Sequence, residues 1–78
     1  MKEIIGEYLE VELISHREKT NIYLILNRKY NISIGQVKWH NYWRQYCFFP
    51  NSETIFSSGC MKDLVAFIDK LMEEHKNG

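Results

Sequence analysis

The apolar residues of this chain change their spacing once, and that change constrains the fold more than any other feature. As far as about residue 56 they recur every second position, the period of a half-buried strand. From Met61 onward they recur every third and fourth position, the period of an amphipathic helix. Strands followed by a single helix define an α+β arrangement in which the helix covers one face of a sheet.

The first strand is expected over 7–14, with Leu9, Val11 and Leu13 on one side and Tyr8, Glu10, Glu12 and Ile14 on the other. A polar connection over 15–19 leads into a second strand over 20–27, rich in β-branched and aromatic residues. There Ile22, Leu24 and Leu26 are expected to face the core, leaving Tyr23 and Ile25 as an apolar pair on the opposite side. Residues 27–31 supply a turn whose asparagines tolerate left-handed conformations.

The third strand, over 32–40, shifts its apolar phase. Ile32 and Ile34 are even whereas Val37 and Trp39 are odd, and Gly35 stands at the change, which is how a β-bulge reads in sequence. A turn over 40–43 leads to a fourth strand over 44–49, ended by Pro50, which has no amide hydrogen to donate. Thr54, Ile55 and Phe56 form a short edge-like segment, and Ser57, Ser58 and Gly59 break the pattern. The helix stripe is Met61, Leu64, Val65, Ile68, Leu71 and Met72. Asp63 suits the positive helix end, and His75 with Lys76 suits the negative end. The expected fold is an antiparallel four- to five-stranded β-meander packed on one face by a single C-terminal amphipathic helix.

Seventy-eight residues make a single domain, because a chain this short buries only roughly 60 to 65 % of its unfolded surface and supports one core. A 45 % hydrophobic and 26 % charged composition disfavours disordered and fibrous classes. The opening residues lack the apolar stretch of a signal peptide, and no run approaches the roughly 18 residues of a membrane span, so the cytoplasm is the expected location and no membrane partner is expected. Formal charge is zero, which argues against a strongly basic nucleic-acid binder. Arg17, Lys19, Arg28, Lys29, Lys38 and Arg44 are nevertheless opposed within their segment only by Glu18, so one end or face of the sheet could be positive.

Six of the eleven aromatic residues fall within 36–50, interleaved with Lys38, His40 and Arg44. Three readings of this stretch stand open. Trp39, Trp43, Tyr46 and Phe48 could be the core of a domain too small to be built from aliphatics alone. Tryptophan, tyrosine and arginine are also the usual anchors of protein interfaces. Rings interleaved with cations on a sheet are, in addition, how single-stranded nucleic acid or a nucleotide is held. On either binding reading the surface centres on Lys38, His40, Tyr42, Trp43 and Arg44, with Arg28 and Lys29 as further cations.

Other chemistry is thinly represented. Four glycines scattered singly give no phosphate loop, although Ser58, Gly59, Cys60 and Met61 lead into a helix start. Cys47 and Cys60 are too few for a disulfide framework; Cys47 reads as a small buried hydrophobe. His40 with Cys47 lacks an orienting third group, and His16, His40, Cys47 and Cys60 match no metal-ligand spacing. No cofactor is expected.

The run Ile34-Gly35-Gln36-Val37-Lys38-Trp39, then Trp43-Arg44-Gln45-Tyr46-Cys47-Phe48-Phe49-Pro50, then Cys60 and a helix containing Phe67-Ile68, resembles a group of short uncharacterised bacterial and phage proteins. These share a Gly-x-Ile-Lys-Trp element, a Trp-Arg-x-Tyr-x-Phe-x-Pro element and a terminal helix, and the likeness covers roughly residues 20–72. The resemblance implies an accessory protein of a phage or mobile element, with no catalytic residues to carry over. The expectation is a non-enzymatic binding module that engages a protein partner, with a single-stranded nucleic-acid binder as the alternative, a small enzyme as the third option, and homodimerisation through an edge strand open.

Overall fold

The structure, a computed structural model, describes residues 2–16 and 20–77. Arg17, Glu18 and Lys19, which the charge reading counts, lie outside the described residues. Five strands precede one helix: β1 (Lys2–Ile4), β2 (Leu9–His16), β3 (Asn21–Asn27), β4 (Ile32–His40), β5 (Gln45–Pro50) and α1 (Ser58–Asn77). The strands form one antiparallel sheet in sequence order, a meander, and α1 lies across one face. The α+β class and the single covering helix are as the sequence indicates.

The fifth strand is not where it was expected. Residues 54–56 form no strand, and the extra strand is β1, pairing Lys2, Glu3 and Ile4 with Glu12, Val11 and Glu10. Phe56 instead sets its ring edge against Phe48 at 5.3 Å. Such a contact packs a side chain against its neighbour without using the backbone in a ladder.

β3 faces the opposite way from the sequence expectation. Directly paired residues share a face, and Leu9, Val11 and Leu13 pair with Asn27, Ile25 and Tyr23. Ile25 is therefore fully buried under the helix and Tyr23 packs beside it, whereas Leu24 and Leu26 point to the opposite face, Leu24 half-buried and Leu26 only 6 % exposed. Both parities of β3 are apolar, so its own sequence could not choose between faces. The phase break in β4 is real: pairing slips between Ile25 and Leu26, Ile34 is the extra residue, and Val37 and Trp39 then join the helix side. A second slip, between Leu13 and Ser15 in β2, was not foreseen.

The helix begins earlier than Met61. Ser57 caps it, its Oγ accepting the amide of Cys60 at 3.2 Å and its carbonyl that of Met61 at 3.0 Å. Gly59 then fits inside the first turn, where a Cβ would stand 2.5 Å from the Tyr8 ring. The buried line is Leu64, Phe67 and Leu71, flanked by Cys60, Ile68 and Met72. Met61 and Val65, expected in the stripe, are exposed. Asp63 sits one turn in and accepts the amide of Tyr8 at 3.2 Å, tying the crossing before β2 to the helix.

Tyr23 and Tyr46 close one end of the core. Asn21 donates its Nδ2 to the Tyr23 hydroxyl at 3.0 Å and its amide to the Tyr46 hydroxyl at 3.2 Å. Burial raises the Tyr23 hydroxyl above its ordinary value of 10.0, the Asn21 hydrogen bond pulls it back, and Tyr46 reinforces the rise. With a raised folded value the unfolded chain releases its proton first, so the contribution is complete below about pH 10 and is lost as pH climbs beyond it. Tyr23→Phe is expected to flatten this alkaline fall, read as a smaller difference between urea midpoints at about pH 9 and about pH 11.

Candidate functional site

The face without the helix carries, from β2 to β5, Glu10 and Glu12, Leu24 and Leu26, Gln36, Lys38 and His40, then Cys47 and Phe49. Its chemistry gathers at the end where β4 turns into β5. Lys38 Nζ stands 4.7 Å from the centre of the Phe49 ring, within cation–π range. His40 stacks nearly parallel on the same ring at 6.2 Å. Beyond it come Trp43, 5.0 Å from His40, and Tyr42, 6.2 Å away. Tyr42 is 94 % exposed and Trp43 67 % exposed, so both rings project from the tip.

The turn that presents them is built by His40. The Arg44 amide donates to the His40 carbonyl at 2.7 Å, and the Trp43 amide donates to His40 Nδ1 at 3.2 Å. The β3–β4 turn has the same plan: Asn31 donates to the Asn27 carbonyl at 2.7 Å and Tyr30 to Asn27 Oδ1 at 3.1 Å. The imidazole thus does what an asparagine side chain does in a turn, which leaves the indole of Trp43 outward. The last turn residue is left-handed in both cases, Asn31 at φ 56° and Arg44 at φ 55°.

Of the seven residues singled out from sequence, four converge here: Lys38, His40, Tyr42 and Trp43. Arg44 leaves the turn on the helix side and lines an open groove of about 600 Å³ with Trp39, Asp69, Met72, His75 and Lys76. Arg28 and Lys29 lie in the β3–β4 turn, at the other end of β4, roughly 27 Å away for nine extended residues. Arg28 is an internal clamp, its Nη1 donating to the carbonyls of Gly6 at 3.0 Å and Glu7 at 3.1 Å. Lys29 lies 5.3 Å from the Tyr30 ring.

These placements separate the two arginines by experiment. Arg28→Ala is expected to cost about 1 kcal/mol, since two charge-assisted bonds are lost at an exposed site. Arg44→Gly is expected to gain about 0.5–1 kcal/mol, because glycine adopts the left-handed conformation without strain. Thermal melts of both variants check the pair.

The aromatic rings of 36–50 divide between core and surface. Trp39 packs edge-on to Tyr46 at 5.5 Å and against His75 at 4.4 Å, and Tyr46 and Phe48 pack in or on the core. Trp43 does not. Sequence reasoning missed Phe49 as the platform under Lys38 and His40, although its phase relative to Lys38 carried the signal. Cys47 is half-buried on the bare face opposite Lys38, not in the core, and His40 pairs with Gln45. Among the described residues no group of three or more His, Cys, Asp or Glu side chains converges as a metal site. No helix among them is long and apolar enough to cross a membrane.

These features define a small α+β domain with a meander sheet, one helix-covered face and one bare face edged by exposed rings. The chain is 31 % identical over 71 residues to an uncharacterized 9.3 kDa protein of Acholeplasma phage L2, spanning 90 % of this chain and 91 % of that one. It belongs to the family of that phage protein. A short phage protein is thus among its relatives, as the resemblance implied. No family model matches the chain, and no solved structure matches it.

Proposed function

We propose that this is a phage or mobile-element accessory module that acts in the cytoplasm by binding protein, not by catalysis, through the bare sheet face and the tip at Tyr42 and Trp43. One observation supports the choice of protein over nucleic acid: Arg28, Lys29, Lys38 and Arg44, the described members of the basic set, are dispersed in space. Arg28 and Lys29 are at the far end, and Arg44 shares its groove with Asp69. Among the described residues Lys38 is left as the lysine or arginine beside the exposed rings, with Glu10 and Glu12 on the same face. Single-stranded nucleic acid requires cations that track its backbone as well as rings that stack on bases. An interface requires aromatic anchors around an apolar centre with charges at the rim, and the half-buried Ile22, Leu24 and Phe49 supply that centre.

Titration with a fluorescein-labelled single-stranded oligonucleotide, at low and at physiological salt, tests the reading. The expected result is no saturable binding at low salt and unchanged tryptophan fluorescence. Saturable binding with a steep salt slope and quenched fluorescence would establish the nucleic-acid alternative in its place.

A further inference from the structure

We propose that the occupant of the bare face is a second copy of this chain, stacked sheet on sheet about a twofold axis that runs along β3. The inference rests on the protein-binding reading above and adds which protein is bound.

The first support is the distribution of charge. Acid lies on β2 as Glu10 and Glu12, the lysine Lys38 lies on β4, and β3 between them presents half-buried Ile22 and Leu24; Lys2 of β1 shares this face, its Nζ donating to Asn31 Oδ1 at 2.8 Å. A pattern of opposite sign either side of an apolar line is self-complementary under a twofold rotation about that line, which is what an isologous interface needs. The rotation lays β4 of one protomer on β2 of its partner. Glu12 and Gln36 both pair with Leu24, so Lys38 sits two residues further along, about 7 Å, a gap that a lysine stem bridges. The same rotation sets β1 on β5. Ile4, which is 59 % exposed and on the bare face beside Glu10, then meets the strand that carries Cys47 and Phe49.

The second support is that the sheet edges offer little for pairing. In β5 the Tyr46 amide points away from β4 and donates to Met72 Sδ at 3.3 Å, while Asn51 donates inward to Ile34. Outward amides therefore fall on Tyr46, Phe48 and Pro50; the first is taken and the last has no hydrogen. Only Phe48 retains one. The other edge, β1, is three residues long. Strand addition, the dimer route open from sequence, is thus poorly served, whereas face stacking covers the apolar centre.

Sedimentation velocity over a concentration series, on the wild type and on Lys38→Glu, Glu12→Lys and the double variant, tests this. Circular dichroism confirms that each is folded. The expected result is a reversible wild-type dimer, each single exchange weakening it about tenfold and the double exchange restoring most of the loss. A wild type that stays monomeric throughout would overturn the proposal, as would a double variant no tighter than the singles. A monomer that still forms protein crosslinks from position 42 removes only the second copy as occupant. A monomer that forms none removes the protein-binding reading as well.

Discussion

Phe67→Ala is expected to cost about 3–5 kcal/mol, the usual range for truncating a buried phenylalanine. Phe67 is 6 % exposed and lies edge-on to Tyr23 at 5.2 Å, in the middle of the line with which α1 covers the sheet. A domain of this size has a total stability of only about 4–12 kcal/mol, so the variant should be largely unfolded at moderate temperature. Val65→Ala is the matched control. Val65 stands on the same helix but is exposed, and its truncation should stay within about 0.5 kcal/mol. Urea midpoints of the two variants check the orientation of the helix, because the sequence stripe included Val65 and omitted Phe67.

Gly35→Ala should come next in size, at about 2–4 kcal/mol. A Cβ at this position would stand 2.6 Å from the carbonyl oxygen of Phe49 and 2.8 Å from the Phe48 ring. The first neighbour is backbone and has no rotamer to escape into, so β5 must move away from β4 or the bulge must rearrange. Both outcomes loosen the ladder that sets Lys38 opposite Cys47 and Gln36 opposite Phe49. The substitution should therefore disturb the bare face as well as the core. Amide exchange in β4 and β5 would show it, with protection falling more there than in β2.

The elements and their order could be read because periodicity is a local property. Alternation in β2, the glycine at the phase break of β4, and the proline closing β5 each act within a few residues. What could not be read depends on distant partners. β3 is apolar on both parities, and its face is decided by pairing with β2, which itself carries a slip beside Ile14. The helix offers two overlapping stripes that share Leu64, Ile68, Leu71 and Met72, and docking on the sheet selects the one containing Phe67. β1 was invisible because three residues with one isoleucine carry no period.

The candidate site divides in the same way. Lys38, His40, Tyr42 and Trp43 are close in sequence and remain close in space, joined by one strand end and its turn. Arg28, Lys29 and Arg44 were grouped with them by charge alone, and topology sends them to the far end of the sheet and to its other face. The turn role of His40 was hidden for a different reason: a histidine in the position that Asn27 occupies in the preceding turn has no signature of its own.

The most direct test of the central claim, that the bare face and its tip bind protein, is site-specific photocrosslinking in an extract of the host cell. A benzophenone side chain replaces Tyr42 in one sample and exposed Lys62 of the helix in another, and the adducts are identified by mass spectrometry. The account requires peptide adducts, to a partner or to a second copy, from position 42 and not from position 62. Nucleotide adducts from position 42, or equal yields from the two positions, would contradict it.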